Sequence, residues 1–424
     1  MASVRRCRCA MERPVTEMNA YHVKRVCRLC DSSSLERVLS LPETPPANQF
    51  VKEPGVPQQH FPLDLMLCCQ CGHLQLGVVV DPGLLFKEYL YVSGTSPSFV
   101  AHFDAYAKRC VERFKLCADD LVCDVGSNDG TLLRKFTEHG KCRTAGIEPA
   151  TEIARRANLY GVETWCNFFD ETIAKSIVDH HGQAKLVTAN NVMAHIDDLR
   201  GVMHGVQRLL RSDGVFVFEV QYAVDLYEKT LFDMIYSEHL DFHTVGPLKS
   251  FIESCSLTLF DVERVPTHGG SIRCYVSRPH QNDARPIVDQ LVQYEKALGI
   301  ASPKAWWQFS TRLAEVDRDL EHVLMGIAGR IVGYGAPAKA CTLMHRFDID
   351  SGVLEYIVDD SPYKIGLYTP GKHILVRHPS ALVEFPPKAI LVLAWNFASD
   401  LITKCKPLGV PIIVPLPDVR VVRP

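Results

Sequence analysis

The sequence predicts an α/β protein in which two parallel-sheet domains follow a small cysteine-rich unit. Three observations predict this fold class. Short apolar strand candidates alternate with helical patterns, two glycine-rich turns each follow such a strand, and paired cysteines precede both turns. Alternation of strands and helices favours mostly parallel sheets, which bind ligands at the carboxyl ends of their strands.

Length and composition set the scale of the molecule. The chain has 424 residues, of which 47% are hydrophobic and 22% charged, with a formal net charge of -3. This length accommodates two or three domains, and the charge gives no positive field for nucleic acid or an anionic membrane. No apolar run has the length of a membrane helix. We expect a cytoplasmic monomer with no nucleic-acid or membrane partner, and a disordered polar extension over residues 1–21.

Four cysteines define the first unit. They form two Cys-x-x-Cys pairs on either side of a proline-rich stretch, residues 42–62, and they are Cys27, Cys30, Cys68 and Cys71. Such pairs predict a tetrahedral zinc site, and four sulfur ligands make it closed and structural. Because prolines break the segment between the pairs, we expect the metal to replace a hydrophobic core there. Cys69 and His73 are alternative ligands.

The first glycine-rich turn opens the second unit. Leu121 to Val125 is predicted as a buried strand, and the turn from Gly126 to Gly130 follows it. A helix is predicted for Thr131 to Glu138, and a second strand for Arg143 to Ile147. Glu148 then stands at the tip of that second strand, where an acid typically holds a ribose diol.

The same turn differs from a dinucleotide fingerprint. Asp129 stands where a pyrophosphate would sit, and a carboxylate there suits a cation. S-adenosylmethionine combines a ribose with a cationic sulfonium and has no phosphate, and the turn resembles that of class I methyltransferases. We predict that the cofactor is bound by residues of the first two strands and the turn, namely Asp124, Gly126, Asn128, Gly130 and Glu148.

The third strand of this unit, Leu186 to Ala189, ends at a second candidate site. Asn190 and Asn191 follow it, and we expect them to flank the cofactor. His195 comes next and is a candidate for facing the substrate, although a histidine here can also be a helix cap or a core residue. Further elements are predicted for residues 199–211 (helix), 215–220, 258–265 and 271–276 (strands).

Tyr236, Glu238 and His239 form the best catalytic candidate. A histidine is suited to proton transfer near neutral pH, and a nearby carboxylate can orient it. A phenol can hydrogen-bond an enolate oxygen as charge develops. The alternative interpretation is that these three side chains only decorate the start of a helix.

The third unit follows a long helical region that ends near Leu324. A strand from Ile331 leads into a Gly-x-Gly-x-x-Ala turn at residues 333–338, and acids at Asp359 and Asp360 follow a second strand. The turn could cradle a diphosphate at a helix amino end, or it could be vestigial and bind nothing.

Together the motifs carry a resemblance that covers nearly the whole chain from about Cys27. The chain resembles the three-domain S-adenosylmethionine-dependent sugar C-methyltransferases, which act on nucleotide-linked keto-deoxysugars. The motifs are the cysteine pairs, residues 72–75, 91–96, 124–130, 190–195, 236–239, 268–271 and 333–339. The resemblance implies a zinc-binding domain (22–85), a class I methyltransferase Rossmann-like core (86–278) and a Rossmann-like carboxyl-terminal domain with a helical linker (279–424).

The resemblance also implies residue roles. The catalytic set would be Tyr236, Glu238, His239, His195 and an upstream tyrosine, matched best by Tyr91 with Tyr89 as the competing register. Substrate would be bound by residues of the later motifs, namely His268, Gly270, Ser271, Gly333, Gly335 and Lys339. The implied reaction is methylation at C-3 of a 4-keto sugar through an enolate. The rival interpretations are an O-methyltransferase, an NAD-dependent oxidoreductase and a non-catalytic scaffold.

Overall fold

The structure is a computed structural model that describes residues 20–87, 89 and 92–423. Residues 1–19 of the predicted extension and Tyr91 lie outside the described residues. The amino-terminal elements are β1 (Tyr21–Val23), β2 (Leu35–Thr44), β3 (Phe61–Cys68), β4 (Leu74–Leu76), β5 (Val78–Val80) and α1 (Pro82–Phe86). Because β1 pairs with β5 and begins at Tyr21, this residue belongs to the folded unit and not to an extension.

The cysteine-rich unit has an apolar core, contrary to expectation. Strands β2, β3 and β4 form an antiparallel sheet, and Leu63, Leu65 and Leu67 of β3 are buried on one face of it. These side chains join the large core that runs through the protein. The prolines between the cysteine pairs lie mainly in the loop between β2 and β3, so they leave the strands intact.

The central unit contains the second set of elements. These are α2 (Pro97–Phe114), β6 (Leu121–Val125), α3 (Thr131–Gly140), β7 (Arg143–Ile147), α4 (Thr151–Leu159), β8 (Thr164–Trp165), α5 (Glu171–His181), β9 (Ala184–Asn190), α6 (Leu199–Leu209), β10 (Leu210–Gln221), α7 (Ala223–Glu228), β11 (Asp241–Phe242), α8 (Val245–Ser254), β12 (Thr258–Val265) and β13 (Ser271–Ser277).

The central sheet has the strand order β12-β13-β10-β9-β6-β7-β8. Its strands are parallel apart from β13, which pairs antiparallel with both β10 and β12. The predicted α/β class is confirmed. Helix α6 ends two residues before the predicted position because the chain enters β10 at Leu210.

The carboxyl-terminal unit completes the chain. Its elements are α9 (Pro286–Leu298), α10 (Pro303–Met325), β14 (Ile331–Tyr334), α11 (Lys339–Arg346), β15 (Leu354–Val358), β16 (Val376–Arg377), α12 (Ala381–Glu384), β17 (Ala389–Val392), α13 (Ala398–Cys405), β18 (Ile412–Val414) and β19 (Arg420–Val422). The sheet order is β16-β15-β14-β17-β18-β19, and only the β18–β19 pair is antiparallel. This second parallel sheet was also predicted.

Candidate active site

The first glycine-rich turn is shaped by close backbone packing. Gly126 and Gly130 have positive φ angles of 68° and 74°, a region in which glycine is favoured. A Cβ atom on Gly126 would lie 2.4 Å from the side chain of Val192. The turn therefore needs glycine at these positions, and it leaves bare backbone at the carboxyl end of β6.

Two buried acids flank this turn. Asp124 accepts a hydrogen bond from the Thr188 hydroxyl at 2.6 Å, and Glu148 accepts from the backbone N–H groups of Asn128 and Ala150 at 3.0 and 2.9 Å. Burial raises the pKa of each acid to about 7. A carboxylate has about four acceptor positions, so Glu148 keeps capacity for the two hydroxyls of a ribose.

Asn190 supplies a further sign of a ligand. Its side-chain oxygen and nitrogen are both buried, and neither has a hydrogen-bond partner within the described residues. Buried side-chain amides normally have hydrogen-bond partners, so a bound molecule would supply the hydrogen bonds that Asn190 lacks. Asn191 contributes through its backbone, which has a positive φ of 57° and donates to the Glu219 carbonyl at 2.8 Å. The pocket thus fits S-adenosylmethionine.

Asp129, which the sequence argument placed against a cation, makes its described contacts with the start of α3. Its carboxylate accepts from the hydroxyl and the backbone N–H of Thr131 at 2.6 and 3.2 Å, and it pairs with Arg134 at 3.8 Å. It therefore stabilises the first turn of α3. The neighbouring Asn128 accepts from the backbone N–H of Ser93 at 2.9 Å, which brings the segment before α2 over the glycine-rich turn.

Tyr236 and His239 form a hydrogen-bonded pair. The phenol oxygen lies 2.8 Å from Nε2 of the imidazole, and Nδ1 lies 2.8 Å from the carbonyl oxygen of Met234. A carbonyl oxygen only accepts, so Nδ1 carries the proton and Nε2 accepts from the phenol. Burial lowers the pKa of His239 well below its ordinary value. The imidazole is therefore neutral and has the lone pair of a base.

His195 lies beside this pair. The ring centres of His195 and His239 are 5.0 Å apart. Burial, with a smaller contribution from the neighbouring His268, lowers the pKa of His195 to about 4. A neutral imidazole at this position can donate one N–H hydrogen bond to an oxygen that becomes negative.

Glu238 does not orient His239, contrary to expectation. Both of its carboxylate oxygens accept from the Asn48 amide, at 2.8 and 3.0 Å, and Tyr89 donates to it at 3.4 Å. Burial raises the pKa of Glu238 to about 7, against the hydrogen bonds from Asn48 and Tyr89 that lower it. Tyr89, the alternative to Tyr91 as the upstream tyrosine, therefore contacts Glu238 in the site.

Several residues predicted to bind substrate are held in close packing. A Cβ atom on Gly270 would lie 2.2 Å from Asp225, one on Gly333 would lie 2.8 Å from Ile357, and one on Gly335 would lie 2.4 Å from Ala394. Ser271 is fully buried and donates to the Thr267 carbonyl at 3.0 Å. Close packing explains why these positions hold small side chains.

In the glycine-rich turn of the carboxyl-terminal domain, a backbone N–H group is already bound by Asp359. Asp359 accepts from the backbone N–H of Ala336 at 2.6 Å, where a diphosphate would have to approach. This contact favours the vestigial alternative and disfavours the oxidoreductase interpretation.

Lys339, in contrast, packs on Trp395 at the boundary between the two large domains, and Trp395 also closely approaches Gly269, the neighbour of His268. Nζ of Lys339 donates to the Asn396 side chain at 2.6 Å and lies 3.5 Å from the Trp395 ring centre. Burial lowers the pKa of Lys339 to about 7, although the nearby Asp233 raises it. Burial and the charge of Lys339 lower the pKa of His268 to about 4. These two predicted substrate ligands therefore share one environment.

The structure brings the four predicted sulfur ligands together. Sγ of Cys27 lies 3.6 Å from Sγ of Cys71, and Sγ of Cys30 lies 3.6 Å from that of Cys68. Zn–S bonds of about 2.3 Å in a tetrahedron place sulfur atoms roughly 3.8 Å apart, so the cluster fits zinc. The alternative ligand Cys69 is exposed and points toward Glu36. His73, the other alternative, pairs with Asp241.

Two site residues were missed by sequence reasoning. Asn48 lies in the proline-rich loop, 190 positions from its partner Glu238. Lys364 donates to the Ala336 carbonyl at 2.8 Å, and burial lowers its pKa while Asp359 and Glu238 raise it. Neither residue belongs to a local motif, so only the tertiary fold reveals it.

Across residues 20–87, 89 and 92–423, the helices are too short or too polar to span a lipid bilayer.

Comparisons with known proteins agree with this architecture. Three family models match the chain in order: a putative zinc binding domain at residues 27–86, a methyltransferase domain at 101–254 and a C-methyltransferase C-terminal domain at 266–417. The C-methyltransferase NovU of Streptomyces niveus is 33% identical over 405 residues, which cover 93% of this chain and 96% of that protein.

Other relatives match a smaller share of the chain. The ubiquinone biosynthesis O-methyltransferase of Salmonella paratyphi A is 29% identical over 100 residues, 23% of this chain and 40% of that protein. The crystal structure of an S-adenosylmethionine-dependent methyltransferase from Clostridium acetobutylicum aligns with a TM-score of 0.34 and 17% identity, over 42% of this chain and 90% of that chain.

The fold, the cofactor pocket and the domain order define an S-adenosylmethionine-dependent C-methyltransferase with a zinc-binding domain. The chain belongs to the C-methyltransferase family that includes NovU.

Proposed function

We propose that this enzyme methylates C-3 of a nucleotide-linked 4-keto-deoxysugar through an enolate. Carbon becomes a nucleophile only when a neighbouring carbonyl acidifies its C–H bond, so a C-methyltransferase without a carbanion-forming cofactor needs a base. The neutral imidazole of His239, held at Nδ1 by a backbone carbonyl, is the observation that carries the proposal.

The hydrogen bond between Tyr236 and His239 suggests how the proton moves. The phenol donates to Nε2 in the resting site. As the C-3 proton passes to the phenol oxygen, the phenol proton passes to Nε2, and His239 ends as the imidazolium. The C–H electrons become the enolate, whose oxygen accepts from the N–H of His195. General base catalysis of this kind contributes about 10²- to 10⁴-fold in rate.

Bound S-adenosylmethionine supplies a methyl group on a positively charged sulfur. The residues of this chain position that group: Glu148 takes the ribose, Asn190 completes its hydrogen bonds with the cofactor, and the segment over the glycine-rich turn closes the pocket. Alignment of carbanion and methyl group contributes further, because effective molarities of oriented reactants reach about 10⁵ M and above.

Lys339 and His268 support a nucleotide-linked substrate. Both lie at the boundary of the two large domains, and the charge of Lys339 lowers the pKa of His268. A diphosphate at this boundary would raise the pKa of both groups and gain charge-assisted hydrogen bonds. In the proposal they hold the diphosphate while Glu238, with Asn48 and Tyr89, binds polar groups of the sugar.

The test is incubation with labelled S-adenosylmethionine and a panel of thymidine- and guanosine-linked 4-keto-6-deoxyhexoses. Mass spectrometry detects methyl transfer, and NMR of the product locates the new methyl group. The proposal expects a methyl carbon bonded to C-3. Transfer to a hydroxyl oxygen, or equal transfer to sugars that lack the ketone, would contradict it.

A further inference from the structure

The segment that carries His239 is also part of the cysteine-rich sheet. Strand β11 begins at Asp241, two residues after His239, and pairs antiparallel with β4 through Asp241 with Gln75 and Phe242 with Leu74. The backbone N–H of Leu76 also donates to the Leu240 carbonyl at 2.8 Å. The catalytic segment therefore leads into the edge strand of a sheet in which Cys68 ends β3 and Cys71 lies in the β3–β4 connection.

Arg28 adds a second connection, from the first cysteine pair. It lies between Cys27 and Cys30, and its side chain is 0% exposed. Nη1 donates to the carbonyl of Leu240 at 3.2 Å and to that of Leu76 at 3.1 Å. One guanidinium thus holds the residue after His239 and the strand beside it.

Two acids fix the ends of this connection. Asp197 accepts from Nε of Arg28 at 2.9 Å, which orients the guanidinium. On the other side, His73, two residues after Cys71, lies 2.7 Å from Asp241 through Nε2. Each cysteine pair therefore contributes one buried side chain that holds the segment following His239.

The same segment also fixes His195. The backbone N–H of Leu240 donates to the carbonyl of Ala194 at 2.6 Å, and Ala194 precedes His195 in the chain. A displacement of Leu240 would consequently move both His239 and His195.

We propose that Arg28 is a positioning residue, through which the folded cysteine cluster fixes His239 and His195 in their working geometry. The proposal rests on the proposed function of those histidines. The proposal predicts that a change at Arg28 affects catalysis and cofactor binding differently. The side-chain hydrogen bonds of Arg28 described above go to Leu76, Leu240 and Asp197, and to none of the cofactor residues on β6, β7 and β9. We therefore expect that loosening Arg28 lowers the rate of methyl transfer and leaves the affinity for S-adenosylmethionine unchanged.

The test compares Arg28→Lys with Arg37→Lys. Arg37 is a control in the same sheet, and its side chain is 63% exposed. Within the described residues its one ion pair is with Asp64, at 3.5 Å. Zinc content, cofactor affinity by calorimetry, kcat, and hydrogen exchange of the amides of residues 236–242 and 126–130 are measured for each variant.

For Arg28→Lys we expect normal zinc content and cofactor affinity, at least about tenfold faster exchange over residues 236–242 with no change over 126–130, and a kcat lower by about 10- to 100-fold, the effect of a displacement near 1 Å. Arg37→Lys should match the wild type. Removal of zinc from the wild type by a chelator should speed exchange over residues 236–242 in the same way.

Two results would overturn the proposal: exchange and kcat of Arg28→Lys equal to those of the control, or a loss of cofactor affinity as large as the loss of kcat. If Arg28→Lys does not fold, Asp197→Asn, which releases the guanidinium from a partly exposed partner, decides by the same measurements. The exchange data test the connection without any chemistry. Full activity of a His239→Ala variant would instead contradict the proposed function.

Discussion

The backbone carbonyl of Met234 accepts a hydrogen bond from Nδ1 of His239 at 2.8 Å, and this contact determines which ring nitrogen is basic. With Nδ1 protonated, the lone pair of Nε2 points to the phenol of Tyr236. Burial keeps the imidazole neutral by lowering its pKa. Before substrate arrives, Nε2 is thus the acceptor nitrogen of a neutral imidazole.

Replacement of Tyr236 by phenylalanine tests the proton path. We expect kcat to fall by about 10²- to 10⁴-fold, because the relay to Nε2 is lost, while calorimetry shows unchanged affinity for S-adenosylmethionine. Tyr227→Phe is the control, since that phenol donates at 3.3 Å to Gln308. Turnover of Tyr236→Phe within twofold of this control would show that the phenol takes no part.

Cofactor affinity should depend on pH through Glu148. Burial raises the pKa of this carboxyl to about 7, and ribose hydroxyls donate best to its ionised form. Below pH 7 the free site must lose a proton to bind, so affinity should rise about tenfold from pH 6 to pH 8 and then level off. Calorimetry across this range measures the effect. In Glu148→Gln the affinity should be lower and this pH step absent, whereas an equal step in the variant would assign it to another group.

Gly94 should be required where its segment crosses the glycine-rich turn. A Cβ atom there would lie 2.4 Å from Oδ2 of Asp129 and 3.0 Å from Oγ1 of Thr131. Overpacking of this kind costs about 1–3 kcal/mol, so Gly94→Ala should raise the Kd for S-adenosylmethionine by roughly tenfold or more. Gly326→Ala, where the nearest atoms lie at 3.5 Å, is the matched control. Equal affinities of the two variants would show that the segment does not close the pocket.

Serine substitutions distinguish a cysteine that binds zinc from a neighbouring cysteine that does not. Cys71→Ser removes a ligand of the cluster and should lower both zinc content and the unfolding midpoint, the latter by about 10 °C or more. Cys69→Ser changes an exposed thiol outside the cluster and should alter neither quantity. Metal analysis and thermal unfolding of both variants decide. Zinc loss from Cys69→Ser would reverse the ligand assignment.

The sequence predicted the local parts of the cofactor pocket well. Strands β6 and β7 begin and end at the predicted residues, because each is a short apolar run bounded by a turn. Tyr236 and His239 are three residues apart, so their contact is local and their motif could be read directly.

Long-range contacts escaped prediction for a physical reason. Strand β11 has two residues, too few to show a period, and its partner β4 lies far away in the sequence. Asn48 meets Glu238 only because the loop after β2 folds over the catalytic segment. The hydrogen bonds from Thr131 to Asp129 also escaped prediction, since they depend on the turn geometry and not on the charge of Asp129.

Deuterium wash-in tests the central claim most directly. The wild-type enzyme, a 4-keto-6-deoxy sugar nucleotide and S-adenosylhomocysteine are incubated in D₂O, and NMR follows the hydrogen at C-3. If His239 is the base that generates the enolate, the wild type exchanges this hydrogen, and His239→Asn does so at least about 100-fold more slowly. Exchange by His239→Asn at the wild-type rate would contradict the account.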